Sequence, residues 1–203
     1  MNFKQLVVTA ALALGSPLTQ GAAPIFSDNF DSYPADQLNW APSTSSGWTV
    51  SSNGTVDIIG IGGIYDFIPG NGSYVDLDGT SSSSGLLSHN VNLAGGTNYV
   101  LSFDLAGSHR GSVETVNVNF GSTTASYSLN SADPFSTFKL NFAPSSDGPY
   151  SFSYQNMGGD NVGALLDNVS VLAVPESETY AMLLAGLGFT VFIARRKKRV
   201  SSL

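Results

Sequence analysis

Two stretches, Tyr99-Val-Leu-Ser-Phe-Asp-Leu-Ala106 and Val113-Glu-Thr-Val-Asn-Val-Asn-Phe120, decide the fold. Apolar and polar residues alternate through both with a period of two, the mark of a strand with one face in a core and one in water. Tyr99, Leu101, Phe103 and Leu105 share a side of the first, and Val116, Val118 and Phe120 a side of the second. Phe138-Lys-Leu-Asn-Phe142 and Tyr150-Ser-Phe-Ser-Tyr154 repeat the pattern, and Trp48-Thr-Val50 reads as a strand with Trp48 inward. Further on, Leu165, Asp167, Val169 and Val171 are expected to face away from Leu166, Asn168, Ser170 and Leu172. Turn residues punctuate the series at Gly95-Gly96, Gly121-Ser122 and Asp147-Gly148-Pro149. Short, evenly spaced strands of this kind predict an all-β, antiparallel, jelly-roll-like sandwich of roughly ten strands. It is expected to occupy residues 24–173, with Ser81 to Ser84 as an exposed loop.

The two ends of the chain have a different composition. Residues 1–23 carry Lys4, a mainly apolar stretch from Leu6 to Leu18, then the small residues Gly21, Ala22 and Ala23. That layout predicts a secretory signal peptide and passage through the Sec translocon. Residues 174–199 form a tripartite tail. Val174, Pro175, Glu176 and Ser177 come first, then an uncharged apolar run over 180–194, then Arg195, Arg196, Lys197, Lys198 and Arg199. The apolar run is short for a bilayer span, but the flanking cations extend it by snorkelling and favour the cytoplasmic side. A single transmembrane helix over 180–194 with a basic stop at 195–199 is therefore expected, the domain before it facing outward. The alternative is a buried C-terminal helix, which five consecutive cations fit poorly.

The tail resembles the PEP-CTERM sorting signal of Gram-negative, exopolysaccharide-producing bacteria over about thirty residues. One position departs from that pattern, for Ser177 stands where the family has its second proline. The resemblance implies an exosortase-type processing enzyme as partner and a transient stay in the inner membrane. It also implies a final place at the cell surface, in the outer envelope or in an extracellular polysaccharide matrix. The domain itself is similar, loosely, to galactose-binding-like and carbohydrate-binding-module sandwiches. The matching wording is Phe26-Ser-Asp-Asn-Phe-Asp31, Asn98 to Gly111, and Gly163 to Val171. In such sandwiches the first and last strands often pair around a structural calcium, and Asp28, Asp31 and Asp167 are the residues that would hold it here. Asp76-Leu-Asp78-Gly79 is half of a calcium-loop pattern without the rest, and a turn into the serine-rich loop is the plainer reading.

Charge narrows the partners. Between residues 24 and 174, twelve aspartates and Glu114 stand against Arg110 and Lys139 alone, a formal charge of −11. Such a surface repels nucleic acid and anionic lipid. The chain has no cysteine, so no disulfide supports the exported domain. Saccharides are held by aromatic platforms beside polar side chains, because sugar rings have apolar faces and polar rims. Trp40, Trp48, Tyr65, Asn71 and Arg110 are the candidates, set against the ordinary tendency of aromatics to pack inward. Catalysis has little support. There are two histidines, no Gly-x-Ser-x-Gly elbow and no cysteine nucleophile. A non-catalytic exported protein associating with exopolysaccharide is expected. A carbohydrate-active enzyme on the same fold, and a coat or adhesin component without glycan affinity, are the alternatives.

Overall fold

A computed structural model describes residues 23–34, 36–51, 53–174 and 185–190. Eleven strands form in chain order: β1 (Phe26–Asp28), β2 (Trp48–Ser51), β3 (Asp57–Gly60), β4 (Ser73–Asp76), β5 (Leu86–Leu93), β6 (Asn98–Ala106), β7 (Glu114–Phe120), β8 (Thr123–Leu129), β9 (Ser136–Phe142), β10 (Gly148–Asn156) and β11 (Leu165–Val174). They make two antiparallel sheets. One has the order β3-β4-β11-β6-β9, with β1 on β11 as well, and the other β2-β5-β10-β7-β8. The all-β sandwich expected from alternation is present.

Alternation fixes which side chains fill the space between the sheets. Leu101, Phe103 and Leu105 of β6 meet Val116, Val118 and Phe120 of β7 and Phe152 and Tyr154 of β10 in one core. Rings there pack edge-on or tilted, as between Phe103 and Tyr154 at 5.2 Å and Trp48 and Phe152 at 5.6 Å. A smaller apolar cluster of Ile59, Tyr74, Ala106 and Leu165 lies on the outer face of the first sheet. Phe67 and Ile68 from the loop after β3, with Phe135, cover it.

Strand β11 departs from the expected alternation. Its pairing with β6 shifts register between Asp167 and Ser170, where Asn168 adopts φ 50°. This bulge inserts one extra residue and reverses the phase. Leu166, Val169 and Val171 all join the main core, whereas Leu165 faces the outer cluster.

The outer face of the second sheet is polar and uncharged. Thr49, Ser88, Ser153, Asn119 and Thr124 form a row across its five strands. Their side chains join, Thr49 to Ser88 at 2.8 Å and Thr124 to Asn119 at 2.9 Å.

Both ends of the domain meet. Phe26 pairs with Val171, and the Ile25 N–H donates to the Val171 carbonyl at 2.8 Å. Residues 1–22, the sorting motif after Val174 and the basic stop at 195–199 lie outside the described residues. Within the expected membrane segment, 185–190 are helical. Among the described residues no helix is long and apolar enough to cross a membrane. The remainder of 180–194 lies outside them.

Candidate functional site

One cleft gathers chemically distinct groups on the outer face of the first sheet. Asp57 opens β3 and Asp76 closes β4, and the antiparallel register sets them directly opposite each other. Like charges so placed repel, and each carboxylate is compensated. Asp57 accepts the N–H of Asn39 at 2.6 Å and the Thr80 hydroxyl at 2.7 Å. Asp76 accepts the N–H of Asp78 at 3.1 Å and pairs with the Arg110 guanidinium.

Arg110 belongs to the loop between β6 and β7, which turns through left-handed backbone at His109 (φ 54°) and Gly111 (φ 101°). Its Nη1 donates to the Asn161 carbonyl at 2.6 Å, and its guanidinium stacks over Phe67 at 4.9 Å from the ring centroid. Its Nε is buried and has no acceptor among the described residues. Tyr65, Leu38 and Ile59 complete the walls. Burial drives the Asp76 pKa up to about 7; Arg110 and the Asp78 N–H oppose this, and the charge of Asp57 adds to it.

The five ligand-binding candidates therefore separate. Tyr65 and Arg110 share the cleft. Asn71 instead donates to Asp167 at 2.8 Å. Trp48, 2 % exposed, is packed among Phe26, Phe30 and Phe152, and its Nε1–H donates to Asp28 at 2.9 Å. Trp40 is also buried, with Tyr33 edge-on at 5.0 Å. Both tryptophans are core residues that leave little ring surface for a ligand. Asp57, Asp76, Thr80 and Asn161 were not singled out for this site from sequence. Their convergence depends on strand register and loop path, which leave no local pattern in the chain.

Each of the three aspartates expected to hold calcium is engaged by protein donors. Asp28 is engaged by the Phe30 N–H at 2.8 Å, the Tyr33 hydroxyl at 3.1 Å and Trp48. Asp31 accepts the Ser73 N–H at 2.9 Å. Asp167 accepts the Asn168 N–H at 2.6 Å besides Asn71. Burial raises the Asp167 pKa to about 6, and the charges of Asp31 and Asp104 add to the effect. Among the described residues no three His, Cys, Asp or Glu side chains form a ready metal cage.

No family model matches the sequence, and no curated protein matches it significantly. Solved structures do share the fold. The xylan-binding CBM22-1 domain of Paenibacillus barcinonensis Xyn10C superposes with a TM-score of 0.52 at 10% identity, over 77% of this chain and 98% of that one. The tandem CBM22-1–CBM22-2 structure of the same protein gives 0.54 at 11% identity, over 77% and 48%. The CBM22-1–GH10 structure of Clostridium thermocellum xylanase 10B, complexed with xylohexaose, gives 0.52 at 13% identity. There the match spans 77% of this chain but only 29% of the other. These neighbours are carbohydrate-binding modules, and at such identity they establish a common β-sandwich fold.

Proposed function

We propose that this chain is an exported, non-catalytic protein whose sandwich binds a neutral polysaccharide in the Arg110 cleft. The observation that carries the reading is the composition of that cleft. An exposed aromatic, Tyr65, stands beside the Arg110–Phe67 stack and the polar groups of Asp57, Thr80 and Asn161. That is the pairing of apolar platform and hydrogen-bonding rim that a sugar ring requires. The shared fold with carbohydrate-binding modules supports the reading without naming the sugar. The signal-like N-terminus and the sorting-type tail support export and exosortase processing, with a matrix or surface destination.

Affinity electrophoresis in gels containing xylan, galactan or the host's own exopolysaccharide tests the proposal. The wild type is expected to be retarded by at least one neutral polymer, and Arg110→Ala and Tyr65→Ala to migrate freely. Equal mobility of all three proteins in every gel would count against it.

A second reading, a carbohydrate-active enzyme, draws on the raised pKa of Asp76 near Asp57, since glycosidases use two carboxylates of which one is held protonated. Both carboxylates are already held by hydrogen bonds, which fits a structural role better. A reducing-end assay on the same polysaccharides separates the two. Turnover lost in Asp76→Asn would establish the enzyme. A coat role without glycan affinity would draw on the uncharged outer face of the second sheet. Self-assembly with no retardation in any gel would favour it.

A further inference from the structure

A second group of polar side chains lies buried at one end of the sandwich, where the two sheets part. Asp78 follows β4 in the first sheet, whereas Glu114 opens β7 and Asn156 closes β10 in the second. All three are almost fully buried, Asp78 being only 1 % exposed. Glu114 and Asn156 satisfy each other, the Asn156 amide donating to Glu114 Oε2 at 3.0 Å, and the Ser112 hydroxyl donates to Glu114 Oε1. Asp78 is less well served, for both its carboxylate oxygens are buried and neither receives a well-formed hydrogen bond among the described residues. Burying a carboxylate without compensation is among the costliest arrangements in a protein.

The surroundings of that carboxylate are rich in oxygen. The loop after β10 runs through Gly158 and Gly159 to Asp160. A β-carbon at Gly158 would stand 2.9 Å from Asp78 Oδ2, 2.8 Å from Asn156 Nδ2 and 3.6 Å from Asp160 Oδ1. One at Gly159 would face the Ser82 carbonyl at 3.8 Å. Glycine at Gly158 thus lets the loop backbone approach Asp78 closely, with the Asp160 carboxylate beside it and the Ser82 carbonyl near Gly159. Burial raises the Asp78 pKa; the Asp160 N–H and the Asn156 amide oppose this, and the charges of Asp160 and Glu114 add to it.

We propose that this end of the sandwich binds one calcium-sized divalent cation, with Asp78 giving both oxygens, Asp160 a third, and the Ser82 carbonyl and water completing the shell. Hard oxygen donors, mostly anionic and in flexible loops, are what Ca²⁺ takes, with six to eight ligands. Two carboxylates and neutral oxygens suffice, so a preformed cage of three acids is not required. The ion would join the two sheets through the 157–163 loop, stapling a domain that has no disulfide. It is distinct from the Asp28, Asp31 and Asp167 set at the β1–β11 pairing.

Calorimetry and thermal melting of the full chain, in non-ionic detergent with CaCl₂ or EGTA, decide the matter. The wild type is expected to bind one Ca²⁺ with a Kd of about 10⁻⁴–10⁻³ M, typical of extracellular modules, and to melt higher with calcium. Asp78→Asn is expected to abolish both the heat and the calcium-dependent shift, yet to melt above the wild type in EGTA because it removes an uncompensated charge. Asp167→Asn is expected to keep both. If Asp78→Asn does not fold, Asp160→Asn, on an exposed loop, must weaken binding about tenfold. No calcium binding by the wild type, binding that survives Asp78→Asn or is unchanged in Asp160→Asn, or binding lost in Asp167→Asn would each overturn the assignment.

Discussion

Asp28 shows how much one side chain can organise. Its two oxygens tie the Trp48 indole, the Tyr33 hydroxyl and the Phe30 backbone to the first strand. Asp28→Ala strips three donors of their acceptor in a largely buried place. Each orphan costs roughly 1–3 kcal/mol, so a loss of about 3 kcal/mol in urea unfolding is expected. A loss below about 1 kcal/mol would show that water replaces the carboxylate. Asp76 and Asp167 make stability depend on pH. Their folded pKa values, about 7 and about 6, lie above the ordinary carboxylate value of 3.8. Between those values the folded state keeps protons that the unfolded state releases. Their contribution therefore favours folding at acid pH and is lost as pH rises through about 6 to 7. The melting temperature is expected to be higher at about pH 5 than at about pH 8, and Asp76→Asn to reduce the difference. A melting temperature that climbs steadily over that range would contradict this.

At the scale of elements, the bulge in β11 is the most informative feature. Asn168 holds φ 50° there, and its amide donates to Asp104 across the sheet at 3.0 Å. Asn tolerates this left-handed backbone, whereas a β-branched residue does not. Asn168→Val should lower stability by about 1–3 kcal/mol and Asn168→Gly by less, read as denaturant midpoints at an unchanged slope. Equal losses would place the cost in the Asp104 contact and not in the backbone. The bulge also explains where sequence reading stopped. Strands β6, β7, β9 and β10 were legible because one face of each meets the core and the other water or polar neighbours. In β11 the alternation breaks at a single residue, so Leu165 and Val169 were expected on one face and lie on opposite ones. Strands β3 and β4 were not legible at all. Every residue in them is buried, because Phe67 and Ile68 cover their outer side, and a strand buried on both faces has no period to read. The Asp57–Asp76 pair sits on those two strands, so half of the cleft was hidden with them. Tyr65 and Arg110 were found because residue type alone marked them.

For the whole molecule, charge sets the manner of recognition. A domain of formal charge −11 that binds a neutral polymer through stacking and hydrogen bonds should be insensitive to ionic strength. Retardation in polysaccharide gels is expected to change less than about twofold between low and high salt, and a steep salt dependence would point to a charged ligand instead. The meeting of the chain's two ends gives the molecule a polarity. Strand β11 begins beside the Arg110 cleft, where Leu165 pairs with Asp76, and finishes at Val174 beside β1. Ten residues, hence nine steps of about 3.3 Å, separate these points by roughly 30 Å. On the proposed reading, with an anchor following Val174 and a leader preceding β1, both attachments would leave the domain at the pole of β11 remote from the cleft, so neither would obstruct its mouth.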